Sequence, residues 1–196
     1  MSGRPPQVIV ISGPNGAGKT TMAEHLLRGA MSVQHFVNAD WIARGLGAFD
    51  PDSVAIEAGR AMLARLKQLA ASRADFAFET TLASRAFAPW IGRLCASGYE
   101  FSLLHLWLPD PEQAISRVAE RVRAGGHDVP PDVIRRRYHA GLRNFFDLYQ
   151  PLARRWRFYD NSSSAGVRLI AAGRHRSETA VRDSQTWRLL EREYRT

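Results

Sequence analysis

The sequence contains few residues of several kinds, and each scarcity excludes a class of protein. One cysteine, Cys95, cannot build a disulfide framework or a cysteine metal cluster, and it favours a reducing, cytoplasmic setting. No apolar run approaches the roughly 20 residues that a membrane helix needs. The N-terminal residues also lack the long apolar stretch of a signal peptide. With 45% hydrophobic and 23% charged residues over 196 positions, the composition predicts a single globular domain, 1–196.

Lysine is also scarce, because Lys19 and Lys67 are the only two in the chain. The net charge of +8 is therefore carried by arginine. Between Arg117 and Arg157, ten arginines stand against four acidic residues, which gives this segment a net charge of +6. Such clustering indicates an anionic partner, either a phosphate-bearing small molecule or nucleic acid. A general bias of composition towards arginine is the alternative explanation.

Short apolar runs alternate along the chain with segments of helical periodicity. This alternation predicts an α/β sandwich of three layers with a mainly parallel sheet. The predicted strands are 7–12, 35–37, 76–78, 101–108, 157–159 and 167–171. The predicted helices are 19–29, 52 or 53 to 71, 86–97, 111–123, 131–149 and 178–194.

The strongest motif is Gly13-Pro14-Asn15-Gly16-Ala17-Gly18-Lys19-Thr20, which matches G-x-x-x-x-G-K-[ST] between a predicted strand and a predicted helix. Its glycines let backbone N–H groups turn around a phosphate, and the helix N-terminus adds a favourable dipole. Lys19 can reach the outer phosphates, and the Thr20 hydroxyl can ligate Mg²⁺. The motif, with Thr21 next to it, predicts nucleotide binding without separating a kinase from an NTPase motor or switch.

Two carboxylates, Asp40 and Glu79, each follow a predicted strand. In open α/β sheets, ligands bind outside the carboxyl ends of the strands, so both side chains are expected to face the nucleotide. A carboxylate there can take a proton from a substrate hydroxyl, hold that hydroxyl, or support Mg²⁺ through water. Helix capping is the alternative role for Asp40. Asp110 also follows a strand, but the prolines on either side predict that it caps the next helix.

The arginine segment predicts a lid. Arg117 and Arg121 lie four residues apart on one face of a predicted helix. The loop Gly125-Gly126-His127 separates that helix from a second one, which begins near Arg135-Arg136-Arg137. Two arginine-bearing helices joined by a glycine loop, over about 112–149, can close on a phosphoryl group and exclude water. A solvated helix surface is the alternative for any one of these arginines.

Taken together, these motifs resemble the zeta-toxin-like family of P-loop kinases over nearly the whole chain. The resemblance is carried by residues 13–21, Asn38-Ala39-Asp40, Phe78-Glu79-Thr80-Thr81-Leu82, and residues 117–122, 125–130, 135–138 and 159–162.

The resemblance implies a P-loop kinase that uses ATP and Mg²⁺ to phosphorylate a hydroxyl of a small acceptor. In the toxin branch, the acceptor is an N-acetylated amino sugar on a uridine nucleotide, such as UDP-N-acetylglucosamine. The resemblance implies that Asp40 is the catalytic carboxylate, which acts together with Lys19 of the phosphate loop. It implies that Glu79, followed by Thr80, helps to hold the acceptor. It also implies phosphate-facing arginines at Arg121 and at Arg135 or Arg136.

Three functions therefore stay open, and the small-molecule kinase is the leading one. The second is an NTPase that binds nucleic acid through the arginine segment. The aromatic residues of that segment argue against it, because their near-helical spacing is typical of a core and not of a base-stacking platform. The third is a toxin with the same kinase chemistry and an antitoxin as its partner.

Overall fold

A seven-stranded sheet organises the computed structural model, which describes residues 4–28, 33–47 and 53–196. The strands are β1 (Gln7–Ser12), β2 (His35–Val37), β3 (Phe76–Thr80), β4 (Glu100–Trp107), β5 (Arg155–Asp160), β6 (Arg168–Arg174) and β7 (Ser177–Val181).

Seven α-helices connect these strands in the described ranges. They are α1 (Lys19–Arg28), α2 (Ala39–Leu46), α3 (Ala55–Ala71), α4 (Phe87–Ala96), α5 (Pro111–Arg123), α6 (Pro131–Asn144) and α7 (Ser184–Tyr194). A π-helical turn, Phe145–Tyr149, and a 3₁₀ turn, Gln150–Leu152, follow α6. None of the helices in residues 4–28, 33–47 and 53–196 combines the length and the apolarity that a bilayer crossing requires.

The strands lie in the order β2-β3-β1-β4-β5-β6-β7. The first five strands in this order are parallel, whereas β6 and β7 form an antiparallel extension of β5. β1 therefore lies between β3 and β4, with its last residue, Ser12, opposite both Thr80 and His105. Because parallel strands end at the same edge of a sheet, the residues that follow β1, β2 and β3 are brought together there.

Helices cover both faces of the parallel strands, which explains why the β1 sequence is apolar throughout and does not alternate. Val8 and Val10 face a large cluster with side chains from α3, α4, α6 and α7. Ile9 and Ile11 face the opposite side, where Ala23 of α1 packs. All four β1 side chains are at most 4% exposed. Each contributes on the order of 1.5–3 kcal/mol of burial free energy, so β1 holds the loop that follows it firmly.

The predicted α/β fold with a mainly parallel sheet is confirmed. The predicted strand 7–12 and the predicted helix 111–123 agree with β1 and α5 at both ends. The predicted helix 131–149 divides into α6 and the π-helical turn, in which the hydrogen-bond pattern changes but the chain continues to coil. The predicted helix ends at 29 and 52 lie outside the described residues.

The prediction of one helix over 178–194 is wrong in its first part. Residues Ser177–Val181 form β7, which pairs with β6 across a turn in which His175 has a φ of 51°. α7 begins only at Ser184, where the Asp183 carboxylate accepts a hydrogen bond from the Thr186 N–H at 3.0 Å. The unpaired edge of β6 recruits this segment as a strand, and such long-range pairing is not visible in local helical periodicity.

Candidate functional site

The phosphate loop, residues 13–20, is shaped by three glycines with positive φ. Gly13, Gly16 and Gly18 have φ values of 145°, 76° and 80°. A Cβ on Gly13 would lie 2.2 Å from the Leu106 carbonyl oxygen, and one on Gly16 would lie 2.8 Å from the Ala114 carbonyl oxygen. No L side chain fits at either position, so the glycines are required by backbone conformation and by the neighbouring β4 and α5.

The phosphate loop offers a set of unpaired donors. Within the described part of the chain, five of its backbone N–H groups have no protein acceptor: those of Asn15, Gly16, Gly18, Lys19 and Thr20. They lie where α1 begins, so the partial positive charge of the helix N-terminus adds to theirs. Unpaired N–H groups at a helix N-terminus form a binding site for an anion, and phosphate is the anion that such loops take.

Lys19 lies inside this loop. Its Nζ donates a hydrogen bond to the Pro14 carbonyl oxygen at 2.9 Å, which folds the side chain back over the loop. Burial lowers the pKa of Lys19, and the carboxylates of Glu79 and Asp40 oppose that shift. The ammonium group is thus held among loop atoms and near two carboxylates.

Glu79 and Thr20 are in direct contact. Glu79 lies in β3 opposite Ile11 of β1, which brings its carboxylate to the start of α1. The Thr20 hydroxyl donates to that carboxylate, at 3.2 Å from Oε1 and 3.1 Å from Oε2. Burial raises the pKa of Glu79, and Lys19 and the Thr20 hydrogen bond oppose the rise. The residue predicted to bind the metal and the residue predicted to hold the acceptor therefore share one place.

Asp40 lies in the first turn of α2, a helix that the sequence pattern did not predict. The cap of this helix is Asn38, whose side-chain oxygen accepts from the N–H groups of Asp40 at 2.7 Å and Trp41 at 3.2 Å. The alternative role of Asp40 as the helix cap is therefore wrong. Within residues 4–28, 33–47 and 53–196, the Asp40 carboxylate makes no hydrogen bond or ion pair, yet its charge acts on Lys19.

Two arginines from the predicted lid act electrostatically on the same lysine. The charges of Arg121 of α5 and Arg137 of α6 both lower the pKa of Lys19. Arg121 donates to the His127 carbonyl oxygen at 2.8 Å, and its buried Nε has no partner within the described residues. Burying a guanidinium N–H without an acceptor costs free energy, and an oxyanion bound next to Arg121 would supply the missing acceptor.

The other two arginines of the triplet lie elsewhere. Arg135 forms a two-bonded ion pair with Glu112, at 2.7 Å and 3.0 Å, on an exposed surface of α5 and α6. Arg136 is exposed and forms no ion pair in the described part of the chain. Because α6 turns by 100° per residue, only one of three consecutive side chains can face the phosphate loop. Arg137 is the member of the triplet whose charge reaches Lys19.

The loop after Glu79 is braced by the lid helix. Thr80 uses its hydroxyl to accept a hydrogen bond from the Leu82 N–H at 3.1 Å, and Leu82 is buried with a φ of 58°. The Asn144 amide donates to the Leu82 carbonyl oxygen at 2.8 Å. A Cβ on Gly141 would lie 2.4 Å from the Thr81 carbonyl oxygen. The last turns of α6 are thus packed directly against the loop that follows β3.

Sequence reasoning missed a second group beside the phosphate loop. Arg117, predicted to share a face with Arg121, donates instead to the backbone carbonyl oxygens of Asn161 and Ser162, at 2.7 Å and 2.9 Å. The Asn161 amide in turn donates to the Ala17 carbonyl oxygen at 2.9 Å. The only signal for this group was the segment Tyr159-Asp160-Asn161-Ser162, which the resemblance included without a role.

The fold is an α/β fold of the P-loop kinase type. It is defined by the sheet order, by the phosphate loop between β1 and α1, and by the acidic residues Asp40, after β2, and Glu79, near the end of β3. A family model described as an AAA domain matches residues 8–147, which include the phosphate loop, both carboxylates and nearly all of the predicted lid. The chain belongs to this family.

Solved structures agree with this fold, and one sequence relative covers most of the chain. The chain superposes with a TM-score of 0.74 on AvrRxo1-ORF1:-ORF2 crystallised with ATP, at 15% identity over 96% of this chain and 64% of that one. It therefore spans less than two thirds of that relative. Against a chain of the PezAT chromosomal toxin–antitoxin system of Streptococcus pneumoniae, the TM-score is 0.68, at 16% identity over 98% of this chain and 78% of that one. An uncharacterized protein of Haemophilus influenzae is 25% identical over 132 residues, covering 67% of this chain and 92% of the relative.

Proposed function

We propose that the protein is an ATP-dependent phosphotransferase that phosphorylates a hydroxyl group of a small acceptor. The observation that carries the proposal is the set of charges around Lys19, with Asp40 and Glu79 of one sign and Arg121 and Arg137 of the other. Phosphoryl transfer needs positive charge around the transferring group and a carboxylate to orient and deprotonate the hydroxyl. Both kinds of group meet at the same edge of the sheet.

Each residue then has a distinct role. The phosphate loop holds the nucleotide phosphates through its backbone N–H groups, and Lys19 neutralises their outer charge. Asp40 accepts the proton of the acceptor hydroxyl, because it is a carboxylate near Lys19 that no hydrogen bond or ion pair within the described residues occupies. Arg121 and Arg137 stabilise the transferring phosphoryl group, in place of the pair Arg121 and Arg135 or Arg136 that the resemblance implied. Glu79, with Thr80 after it, helps to place the acceptor.

The residues at the start of α1 fit a magnesium ion. Mg²⁺ prefers oxygen ligands, and it is usually held by one or two protein oxygens together with phosphates and waters. The Thr20 hydroxyl and the Glu79 carboxylate supply such oxygens 3.1 Å apart. Within the described residues, no group of three or more His, Cys, Asp or Glu side chains is arranged to hold a metal ion. When bound, the ion neutralises phosphate charge, and Thr20 is the residue that would hold it.

For the acceptor, UDP-N-acetylglucosamine and related sugar nucleotides are the first compounds to test, because the zeta-toxin-like motifs imply them. The fold shared with the PezAT chain adds an antitoxin as a candidate partner. The single cysteine supports a cytoplasmic setting for the kinase. The acceptor and the antitoxin are both proposed from similarity to other proteins.

A nucleic-acid NTPase is less well supported, because the arginine segment is largely occupied within the protein. Arg117 and Arg121 donate to backbone carbonyl oxygens, and Arg135 pairs with Glu112. Arg154 and Arg155 both pair with Glu100, at 3.0 Å and 3.6 Å. Five of the ten arginines in this segment thus have partners inside the chain, which leaves fewer guanidinium donors for a phosphate backbone.

The decisive experiment is a screen for phosphate transfer from ATP labelled at its γ-phosphate. Sugar nucleotides, nucleosides, aminoglycoside antibiotics and 5′-hydroxyl oligonucleotides serve as acceptors, each with wild type and with Asp40→Asn. We expect one small-molecule class to accept label from the wild type and to lose it in the variant. Label on the oligonucleotides alone, or ATP hydrolysis that only nucleic acid stimulates, would contradict the proposal.

A further inference from the structure

Asn161 contacts the phosphate loop at the peptide bond between Ala17 and Gly18, the last glycine of the motif. Its side-chain Nδ2 donates to the Ala17 carbonyl oxygen at 2.9 Å. The contact is close, since a Cβ on Gly18 would lie 2.7 Å from the same Nδ2. Gly18 therefore has two reasons to be glycine: its φ of 80° and the space that the Asn161 amide occupies.

This hydrogen bond fixes the direction of a donor on the other side of the peptide. The Ala17 carbonyl and the Gly18 N–H belong to one planar trans peptide unit, and they point in opposite directions. Holding the carbonyl oxygen towards Asn161 therefore directs the Gly18 N–H away from Asn161. That N–H is one of the five in the phosphate loop without a protein acceptor in the described residues.

Asn161 is itself held from several sides. Its backbone N–H donates to the Trp107 carbonyl oxygen at 3.0 Å, which ties it to the end of β4. Arg117 binds the Asn161 and Ser162 carbonyl oxygens with two different nitrogens, at 2.7 Å and 2.9 Å. Gln113 adds a third bond, to the Ser162 carbonyl oxygen at 3.1 Å. Four hydrogen bonds thus hold the backbone of Asn161 and Ser162 in place, in addition to the contact with Ala17.

We infer that Asn161 is a positioning residue for nucleotide phosphate, and that Arg117 acts through it. The amide of Asn161 sets the Ala17–Gly18 peptide so that the Gly18 N–H is ready to donate to phosphate before the nucleotide arrives. Arg117 keeps Asn161 in place and does not itself bind phosphate. This inference rests on the proposed use of the phosphate loop for ATP. It gives a role to Asn161, which the proposed phosphoryl transfer did not involve.

Binding of phosphate without a base distinguishes a residue that positions the phosphate loop from a residue that contacts the base of the nucleotide. Inorganic tripolyphosphate has the charge and the oxygens of the ATP phosphates but has no adenine. We would measure the dissociation constants of Mg-ATP and of tripolyphosphate by calorimetry, with thermal unfolding of each variant. The variants are Asn161→Ala, Arg117→Ala, Arg117→Lys and the double variant. Arg123→Ala, an exposed arginine on the same helix, is the control.

We expect Asn161→Ala to weaken tripolyphosphate and Mg-ATP by the same factor, about tenfold, with little change in Tm. Arg117→Ala should weaken both to a similar extent, and Arg117→Lys, which keeps the charge but cannot span two carbonyl oxygens, should be intermediate. The double variant should be no weaker than Asn161→Ala alone, because the two residues act in series. Arg123→Ala should bind like the wild type.

Three results would overturn the inference. Unchanged tripolyphosphate binding in Asn161→Ala, with Mg-ATP weakened, would make Asn161 a contact to the base. Additive losses in the double variant would make Arg117 a direct phosphate ligand. Losses that follow Tm, without recovery in Arg117→Lys, would make both residues merely structural. If the wild type binds neither compound, the proposed function itself fails, which is a different outcome from equal binding by wild type and variants.

Discussion

The Thr20 hydroxyl donates a hydrogen bond to the Glu79 carboxylate, at 3.1 Å from the nearer oxygen. These residues are 59 positions apart in the chain, and the parallel pairing of β1 with β3 brings them together. The contact links two roles that sequence reasoning had kept separate, metal binding for Thr20 and acceptor placement for Glu79. A carboxylate in this position can serve the acceptor, the metal-bound water or both.

Replacing Lys19 by alanine should abolish most of the phosphate transfer. The variant loses the one ammonium group in the phosphate loop, and with it a charge-assisted contact to the outer phosphates. We expect kcat to fall on the order of 10²–10³-fold, measured as label transfer to the acceptor found in the screen. Lys67→Ala removes the only other lysine, which is exposed on α3, and should behave like the wild type. Equal turnover of a folded Lys19→Ala protein would refute the site.

Asp40→Asn tests the general base. The amide keeps the shape of the side chain but cannot take a proton, so kcat should fall about 10²–10⁴-fold. ATP affinity and Tm should hardly change, because Asn38 provides the cap of α2 and no hydrogen bond or ion pair of Asp40 within the described residues is lost. Asp132→Asn, an exposed acidic residue in the first turn of α6, is the matched control. A near wild-type rate for Asp40→Asn would move the base to another residue.

Glu79→Gln separates the two roles of that carboxylate. The glutamine oxygen can still accept from Thr20, but the charge is lost. We expect the acceptor KM to rise at least as clearly as kcat falls, in initial rates at saturating Mg²⁺. Glu57→Gln, an exposed residue of α3, should change neither. A rise in the Mg²⁺ concentration for half-maximal activity, with the acceptor KM constant, would place Glu79 with the metal instead of the acceptor.

Ligand binding should protect the proposed lid from hydrogen exchange, and the packing of α6 predicts which of its residues change most. Hydrogen exchange between Arg117 and Arg143 should slow when an ATP analogue and the acceptor are both bound. The largest change should fall in residues 124–130, because α6 from Tyr138 onwards is packed into the core and bound to the loop after β3. Exchange that stays the same at confirmed saturation, or slows only beyond Tyr138, would argue against a closing lid.

His105 should make the protein less stable in mild acid. Burial lowers the pKa of this fully enclosed imidazole to about 3, from an ordinary value of 6.5, and the charge of Lys19 adds to the shift. Protonation therefore favours the unfolded chain. The neutral ring contributes its full stabilisation above pH 6.5, and that contribution is lost as the pH falls from 6.5 towards 3, by about 1.4 kcal/mol per pH unit at most.

The test compares the pH dependence of unfolding in wild type and in His105→Gln. The variant loses the Ser12 contact of Nδ1 at 2.9 Å and has a lower Tm at every pH, but its stability should fall less between pH 6.5 and 4. His175→Asn, at an exposed turn whose φ of 51° suits asparagine, should keep the wild-type slope. Parallel curves for wild type and His105→Gln would show that His105 does not titrate in this way.

Most of the strands and helices were predictable because their signals are local. The run Val8-Ile9-Val10-Ile11 is apolar at every position, as a strand covered on both faces must be, and the glycines that follow can hardly serve anything but a phosphate loop. The short helix α2 and the strand β7 were not predicted. The first depends on one asparagine cap, and the second depends on an edge of β6 that exists only in the folded sheet.

By itself, the sequence determined the fold class and the phosphate loop, because periodicity and glycine conformation act over a few neighbouring residues. Only the tertiary structure decided which side chains meet at that loop. The rotation of α6 brings Arg137 and not Arg135 into electrostatic range of Lys19, and the pairing of strands joins Glu79 to Thr20. Asn161 reaches Ala17 across 144 positions of the chain, a relation that no local pattern encodes, because it arises only when β5 takes its place beside β4.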